Sequence, residues 1–561
     1  MNKRLIECVP NFSEGNNLPI IKQITDQIES VSGIRLLDVD PGKATNRTVV
    51  TFVGTPEDVI EAAFLGIRKA CEVIDMRHHK GEHPRFGATD VCPFVPVSGV
   101  TMEETAEYAR ILARRVGEEL QIPVYCYEFA AFEEKRKNLA NIRSGEYEGL
   151  PEKLKDPEWE PDFGPSEFVS RTGSIAIGAR NFLVAYNVNL NTTSIRRANS
   201  IAFDIREAGR ILRQGDQVTG PVIKDENGEP VRVPGSLKKV KAIGWYIEEY
   251  GMAQISINLT DISITPIHVA FEEVCNKAIE RGIRVTGSEL VGLVPLDAML
   301  QAGRYFLKKQ QRSTGIPEKE IINIAVKSLG LDDLKPFIPK EKIIEYILAD
   351  QDNHPLINMD LASFADETAS ESPTPGGGSI SAYMGAMGAA LGTMVANLSS
   401  HKRGWDNRWE EFSDWADKGM YYVKELNRMV DEDTHSFNLV MDAFALPKNN
   451  DEEKKIRKEA IQAATRYATE VPFRVMQLAL ESMDVLESMA KIGNPNSVSD
   501  AGVGALAARS AVLGAFLNVK INARDLNDRV FAEDILVQAK EIETLAIDKE
   551  IRILEIVKAK I

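Results

Sequence analysis

The chain has 561 residues, 43% of them hydrophobic and 27% charged, with a formal net charge of −16; that length exceeds one core and requires several folding units. The acidic balance, with Lys and Arg interleaved among Glu and Asp as in "DEEKKIRKE", excludes a broad nucleic-acid surface and points to small-molecule partners. Five scattered cysteines without C-x-x-C spacing exclude a disulfide framework and a cysteine zinc site, and fit a reducing cytoplasm.

In chain order, "MNKRLIECVPNFSEG" has basic residues but no apolar run behind them, so no secretory signal is expected. "IRLLDVD" and "RTVVTFVG" read as strands joined by the loop "PGKATN". "TPEDVIEAAFLGIRKACEVID" reads as a helix with Pro56 in its first turn, and "TMEETAEYARILARRVGEEL" as one opened by a Thr101/Glu104 capping box. "PVYCYE" is the next strand, and a Gly- and Pro-bearing stretch ends this unit near residue 175. The rhythm then recurs: strand "NFLVAYNVNL", a helix over 193–213, strands "KVKAIGWYIEE" and "AQISINLTD", helix "PIHVAFEEVCNKAIERG" and strand "IRVTGSELVGLVP". Beyond "LDDLKPFIPKEK" strand signals vanish and only helices remain. The predicted fold is therefore two α/β subdomains of ferredoxin-like, split β-α-β type over residues 1–178 and 179–330, a linker over 331–345, and an all-α domain over 346–561. A cleft between the two α/β subdomains is the default ligand site. The uncharged stretch "ISAYMGAMGAALGTMVANL" nears membrane-spanning length, but its Gly, Ala, Ser and Met content predicts a packed buried helix.

"HHKGEHPRFGATDVCPFVPV" places three of the seven histidines within six positions. Gly81 lies between His79 and His83 and Pro84 follows, which disfavours a helical His-x3-His metal site; no metal is expected. His78 and His79, beside Arg77 and Lys80, read as a solvated basic loop. His83, fixed by Pro84 and leading into an apolar segment, is the candidate for proton transfer near neutral pH. Asp40, placed at the strand-to-loop turn of "LLDVDPG", is a candidate partner for its imidazole or a plain turn residue.

In the helical half, the triple glycine Gly376, Gly377 and Gly378 precedes Ser379, which reads as an N-cap; the glycines either let backbone N–H groups approach a ligand or serve helix packing. Steps of three and four put Leu426, Val430, Asp433, Phe437, Val440, Met441 and Phe444 on one helix face, with Asp431, Glu432 and His435 turned away. A carboxylate in an apolar stripe is costly unless paired, and its raised pKa suits proton shuttling. Asn518 and Asn522, four apart, are buried hydrogen-bonding groups or ligand contacts.

"ECVPNFSEGNN", "LLDVDPGKATNRTV", "HHKGEHPRFGATDVCPFVPV", "GEYEGLPEKL", "PDFGPSEF", "KAIGWY" and "LVGLVP", followed by "PTPGGGS", "VDEDTHSF", "ALPKN" and "FLNVKIN", resemble the formimidoyltransferase-cyclodeaminase family in the same order over nearly the whole chain. The resemblance implies a bifunctional folate enzyme of histidine breakdown. It would move a formimidoyl group from N-formimidoyl-L-glutamate to tetrahydrofolate, then close the product to 5,10-methenyltetrahydrofolate with loss of ammonia. It implies catalytic roles for His83 and Asp433, and folate contacts across Gly164, Pro165, Ser166, Glu167, Phe168, Val169, Ser170, Arg171, Thr172 and Gly173, where "SRTG" departs from the family pattern; Asp40, from its place beside the strand end, is the expected orienting partner of His83. Tetrahydrofolate polyglutamate is then a co-substrate and no cofactor is tightly bound. Lys238, Lys239 and Lys241 are candidate positive groups for a substrate carboxylate or a solvated edge. The small-residue helices predict a homo-oligomer, at least a dimer through the helical domain, without a membrane span. The alternatives are a chain retaining one of the two activities, a metal amidohydrolase, and a folate-binding protein without turnover.

Overall fold

The computed structural model describes residues 4–43, 45–81, 85–215, 220–348 and 355–561; His83, with Glu82 and Pro84, lies outside them. The chain divides into two compact units, Met1–Ala298 with Leu329–Ile347, and Met299–Ser328 with Leu348–Ile561. As the sequence predicts, an α/β region precedes an all-helical one.

The first sheet is built from β1 (Leu5–Cys8), β2 (Asn11–Phe12), β3 (Arg35–Gly42), β4 (Arg47–Gly54), β5 (Thr89–Ser98), β6 (Val124–Glu128) and β7 (Ile175–Ala179). Strands β1 and β2 both lie antiparallel between β4 and β5. They thus form one line interrupted at Val9–Pro10, because proline cannot donate to a ladder. β3 pairs with β4 at one side, and β7 runs parallel to both β5 and β6 at the other. Helices α1 (Leu18–Glu29), α2 (Pro56–Val73) and α3 (Met102–Leu120) bury Ile24, Ile28, Ile67 and Leu112 in a core shared with Phe12, Phe52 and Phe94. Each helix starts where its sequence allows: Thr55 caps α2 through the Asp58 N–H, and Thr101 and Glu104 form the expected reciprocal capping box on α3. Two short helices, α4 (Leu139–Ile142) and α5 (Glu146–Lys153), follow β6.

The second sheet contains β8 (Val184–Leu190), β11 (Val240–Ile247), β12 (Met252–Leu259) and β13 (Val285–Val291); a separate ribbon joins β9 (Arg210–Ile211) to β10 (Arg232–Val233). Its order β11-β12-β8-β13 is antiparallel throughout, with α6 (Ile195–Ile205) and α7 (Ile267–Ile279) as the two crossovers. This is the split β-α-β arrangement. The helix predicted over 193–213 ends at Ile205, because Arg206 turns to extended dihedrals (φ −68°, ψ 144°) and the chain enters β9.

Helices α8 (Leu296–Lys309) and α9 (Glu318–Leu329) follow, then α10 (Pro339–Lys342) and α11 (Ile344–Leu348). The second unit is a bundle of α12 (Leu361–Thr368), α13 (Gly377–Ser400), α14 (Trp409–Ala445), α15 (Asp451–Ile492), α16 (Val498–Arg524) and α17 (Arg529–Lys558). Alanines and glycines let α13 and α16 approach closely: a Cβ on Gly388 would stand 2.8 Å from the Gly504 carbonyl oxygen. Both α13 and the α16 region are long and apolar enough to cross a membrane, and 61% and 50% of their apolar windows are buried in the bundle. Residues 313–315 also dock on this unit: the Thr314 N–H donates to Ser413 Oγ at 3.0 Å, and Asn397 Nδ2 donates to the Gly315 carbonyl at 2.7 Å.

Candidate active sites

In the transfer half, the sequence-predicted His83 falls outside the described residues, but the chain on both sides of it is fixed. Asn46, in the left-handed region at φ 48°, ties three segments together. Its Nδ2 donates to the Lys80 carbonyl at 2.8 Å, and its Oδ1 accepts from the Gly15 N–H at 3.0 Å and from Asn16 Nδ2 at 2.9 Å. His79 Nε2 donates to the Asn46 carbonyl at 2.8 Å, and its Nδ1 is buried without a hydrogen-bond partner among the described residues. His79 is only 7% exposed; the expectation of a solvated basic loop therefore fails for His79, since the Asn46 turn covers it, while His78 is exposed. Gly81 must be glycine here, because a Cβ would stand 2.2 Å from the Thr45 carbonyl oxygen.

On the other side of His83, Arg85 is a structural fork. Its Nη1 bonds the Met76 carbonyl at 3.0 Å and the His79 carbonyl, its Nε donates to Glu148 Oε1 at 3.0 Å, and its guanidinium lies 4.7 Å from the Tyr147 ring centre. The segment Gly164–Gly173 packs against the chain beyond it. Ala88 N–H donates to the Thr172 carbonyl at 2.7 Å, Tyr147 OH to the Ser170 carbonyl, and Met76 N–H to the Arg171 carbonyl at 2.9 Å. The Phe168 and Tyr147 rings stand 5.4 Å apart. Arg171 spends its guanidinium on the carbonyls of Cys71 and Glu72 at the end of α2. Pro165, Ser166, Glu167 and Val169 leave surface open around this frame. The predicted folate segment and the flanks of His83 thus form one hydrogen-bonded assembly.

Asp40 is exposed and lies within β3, opposite Val49, two residues before the strand ends. The turn position expected for it is incorrect, because the ladder continues through Pro41 and Gly42 on an edge strand. Burial raises the pKa of Asp38; Lys342 opposes this, and the charge of Asp40 adds a smaller rise. Lys238, Lys239 and Lys241 are exposed; burial raises the carboxyl pKa of Glu128, and the nearby charges of Lys239 and Lys241 oppose that rise. The cavities of about 510 Å³ and about 430 Å³ against α3 are lined by Arg114, Phe132 and Phe163 rather than by these site residues.

In the helical half, Asp433 is half-buried on α14 and meets the start of α13. Its Oδ2 accepts the Ser379 N–H at 2.8 Å and lies 3.2 Å from Ser379 Oγ. The first-turn N–H groups of a helix lack internal acceptors, and a carboxylate there also meets the positive end of the helix dipole. Burial nevertheless raises the Asp433 pKa, with the two Ser379 hydrogen bonds opposing. Gly378 makes the contact sterically feasible: a Cβ there would stand 2.0 Å from Asp433 Oδ1. Gly377 faces Asn518, whose Nδ2 would lie 3.4 Å from an added Cβ. Asn518 Nδ2 also bonds the Gly514 carbonyl at 3.0 Å, and Asn522 bonds the Ala468 carbonyl at 2.6 Å, so Asn522 serves packing and Asn518 borders the glycine loop.

Three expectations are corrected here. The N-cap of α13 is Gly376, which has no side chain to cap with, and Ser379 is the third helical residue. Asp431 does not turn away: it is 7% exposed and accepts the Leu356 N–H at 2.9 Å. The apolar stripe also ends early, since Met441 and Phe444 are 52% and 50% exposed.

Family models match the chain in three consecutive blocks: the formiminotransferase domain, N-terminal subdomain, over residues 5–180; the formiminotransferase domain over 185–349; and formiminotransferase-cyclodeaminase over 360–541. A formimidoyltransferase-cyclodeaminase of Rattus norvegicus is 44% identical over 531 residues, which is 94% of this chain and 94% of that one. The chain belongs to the formimidoyltransferase-cyclodeaminase family. Each half also has relatives of its own. A glutamate formimidoyltransferase of Thermoplasma acidophilum is 44% identical over 54% of this chain and 92% of its own, and a methenyltetrahydrofolate cyclohydrolase of Methylorubrum extorquens is 41% identical over 36% of this chain and 98% of its own. As a formimidoyltransferase-cyclodeaminase family member the chain is an enzyme with both catalytic domains, and the Asn46–Arg85 assembly and the Asp433–Ser379 contact fall in separate family blocks.

Proposed function

We propose that the chain transfers the formimidoyl group of N-formimidoyl-L-glutamate to N5 of tetrahydrofolate, and then closes 5-formimidoyltetrahydrofolate to 5,10-methenyltetrahydrofolate with release of ammonia. The observation that carries this reading is one chain holding both family halves in order over 94% of a bifunctional relative. Residues 1–178 and 179–330 serve transfer and 346–561 serve cyclisation.

In the first reaction N5 attacks the amidine carbon, His83 accepts the N5 proton, and the carbon–nitrogen bond to glutamate breaks as His83 returns that proton to the departing nitrogen. Such a relay is worth roughly 10²- to 10⁴-fold in rate. Asp40 orients the imidazole, and residues 164–173 contact the folate. In the second reaction N10 attacks the carbon of the formimidoyl group, whose nitrogen is protonated, Asp433 takes the N10 proton and hands it to the amino nitrogen, and ammonia leaves with the carbon–nitrogen electron pair. Gly376, Gly377 and Gly378 give the substrate close approach to the backbone at the start of α13. The carbon is already an electrophilic amidine, so neither metal nor tightly bound cofactor enters the scheme; tetrahydrofolate polyglutamate is a co-substrate.

We assign the protein to the cytoplasm, where its five free thiols suit the redox poise, and to a homo-oligomer paired through the helical domain. Exposed Met387, Met394 and Leu398 of α13 and Val503, Leu517 and Ile521 of α16 support that pairing.

The test mixes protein, tetrahydrofolate and formimidoylglutamate and follows glutamate, ammonia and the near-ultraviolet absorbance of the methenyl product together. All three should rise. Glutamate without ammonia would remove the cyclodeaminase half of the reading, and no glutamate would remove the transfer half. The cyclohydrolase relative motivates one control: supplied methenyltetrahydrofolate consumed without ammonia would reassign the helical half to hydrolysis.

A further inference from the structure

Ser379 is completely buried, and its hydroxyl oxygen has three oxygen neighbours: the Val430 carbonyl at 2.8 Å, Asp433 Oδ2 at 3.2 Å and Thr434 Oγ1 at 3.3 Å. A serine hydroxyl has one proton to donate and two lone pairs to accept with. The Val430 carbonyl lies inside α14, where the helical ladder already supplies it with an N–H. It therefore tolerates gaining or losing the serine proton, and the rotor has two satisfied settings.

With Asp433 ionised, the hydroxyl turns its proton to Oδ2, which then holds two donors, the Ser379 N–H and O–H. With Asp433 protonated, the hydroxyl turns to the Val430 carbonyl and accepts the carboxylic proton on its lone pair. Without such a rotor, one protonation state would leave a buried polar group unmatched, which is costly. We infer that Ser379 is a positioning residue of the cyclodeaminase reaction whose hydroxyl rotates with each proton that Asp433 takes up and returns, keeping the carboxyl in one place through the cycle.

The surroundings leave this task to Ser379. From α14, Asp431 is engaged by the Leu356 and Ile357 N–H groups, and Glu432 pairs with Arg428 and with Tyr467 of α15. From α13, the groups facing Asp433 are the neutral Gly378 and Ser379, and from α16 the neighbour of the glycine loop is the uncharged Asn518. Burial and Ser379 account for the displacement of Asp433 from its ordinary titration.

This inference rests on the assignment of Asp433 as the proton carrier, and the experiment separates the two. Full-length protein is given 5-formimidoyltetrahydrofolate directly and ammonia release is followed against pH. Asp433→Asn should abolish release; wild-type release from that variant would overturn the underlying assignment itself. Given that loss, Ser379→Ala should lower kcat about tenfold or more, the worth of a hydrogen bond to a charged group. It should leave KM within about twofold and move the rising limb of the pH profile to higher pH, because the ionised form loses a donor. Ser379→Cys, nearly isosteric and a weaker donor, should shift the limb the same way by less, and it decides the matter if the alanine variant does not fold. Limbs of Ser379→Ala or Ser379→Cys that superimpose on wild type, or a loss confined to KM, would overturn the rotor while leaving Asp433 as carrier. Helical content and the thermal unfolding transition of the full-length protein report that each variant is folded.

Discussion

Gly378→Ala is the most discriminating single change. The new Cβ would stand 2.0 Å from Asp433 Oδ1, 2.4 Å from its Cγ and 2.6 Å from Oδ2, so roughly 1.5 Å of extra separation is needed to reach van der Waals contact. Two relaxations are available. The carboxyl can swing away, which is cheap in stability because alanine regains up to about 1 kcal/mol over glycine within a helix. Alternatively α13 can move as a body, at the roughly 1–3 kcal/mol typical of overpacking. Either route breaks the 2.8 Å bond from the Ser379 N–H. Misplacement of a reacting group by about 1 Å costs on the order of 10²-fold in rate. We therefore expect ammonia release from supplied 5-formimidoyltetrahydrofolate to fall about 100-fold or more while glutamate release in the first reaction is unchanged. The unfolding midpoint should shift only slightly if the carboxyl swings. Gly377→Ala is the internal comparison, since its Cβ finds only ordinary contact at 3.4 Å with Asn518; any loss there should appear in KM. A Gly378→Ala enzyme that releases ammonia within twofold of wild type would refute the placement of Asp433 against α13 as the basis of cyclisation.

Asp433→Asn should stabilise the helical unit at neutral pH. Burial raises the carboxyl pKa in the folded state, so its contribution is present below the unfolded value near 4 and lost as pH rises through the folded one. The melting gain should vanish by about pH 3.5 in a thermal scan series. Glu7, fully buried, is pushed up to about 7 by burial against Arg180. By the same sign, Glu7→Gln should add up to about 3 kcal/mol at pH 8 and nothing near pH 4 in urea titrations, and equal gains at both would show that Glu7 ionises freely. Asn46→Ala removes bonds to Lys80, Gly15 and Asn16 and places alanine at positive φ. It should slow glutamate release at least tenfold, with ammonia release from supplied intermediate intact; Asn46→Gly, which relieves the backbone but not the lost amide, should stay slow if the hydrogen bonds are what matter.

What the sequence discloses here depends on how local the cause is. The α3 capping box is readable because Thr101 and Glu104 satisfy each other within four residues. The second sheet is readable because its strands are long, period-two runs between turn signals. β1 and β2 escape notice because Pro10 cuts one strand line into four- and two-residue pieces, and β5 does because Pro93 and Pro96 read as breakers. Asp433 is legible from its helical phase, while the burial of Asp431 is not, since its partners Leu356 and Ile357 lie more than seventy residues away in the chain. The α13 start is illegible for the same reason. Gly377 and Gly378 look like loop, while in the structure they open α13, with the Asp433 carboxylate beside Gly378 and Asn518 beside Gly377. Asn46 carried one usable signal, an asparagine after "PGKAT", a residue type that tolerates the left-handed turn.

The docking of residues 313–315 on Ser413, Asp417 and Asn397 bears on how the two enzymes are joined. Gly315 sits so tightly that a Cβ would stand 2.2 Å from the Ala416 backbone, and the whole stretch Met299–Ser328 belongs with the bundle although it precedes the helical family block. Thr314 and Gly315 are therefore part of the bundle's own packing, although they lie upstream of residue 348 in the chain. A helical piece expressed from residue 360 onward would leave Ser413, Asp417 and Asn397 without the groups that Thr314 and Gly315 bring to them.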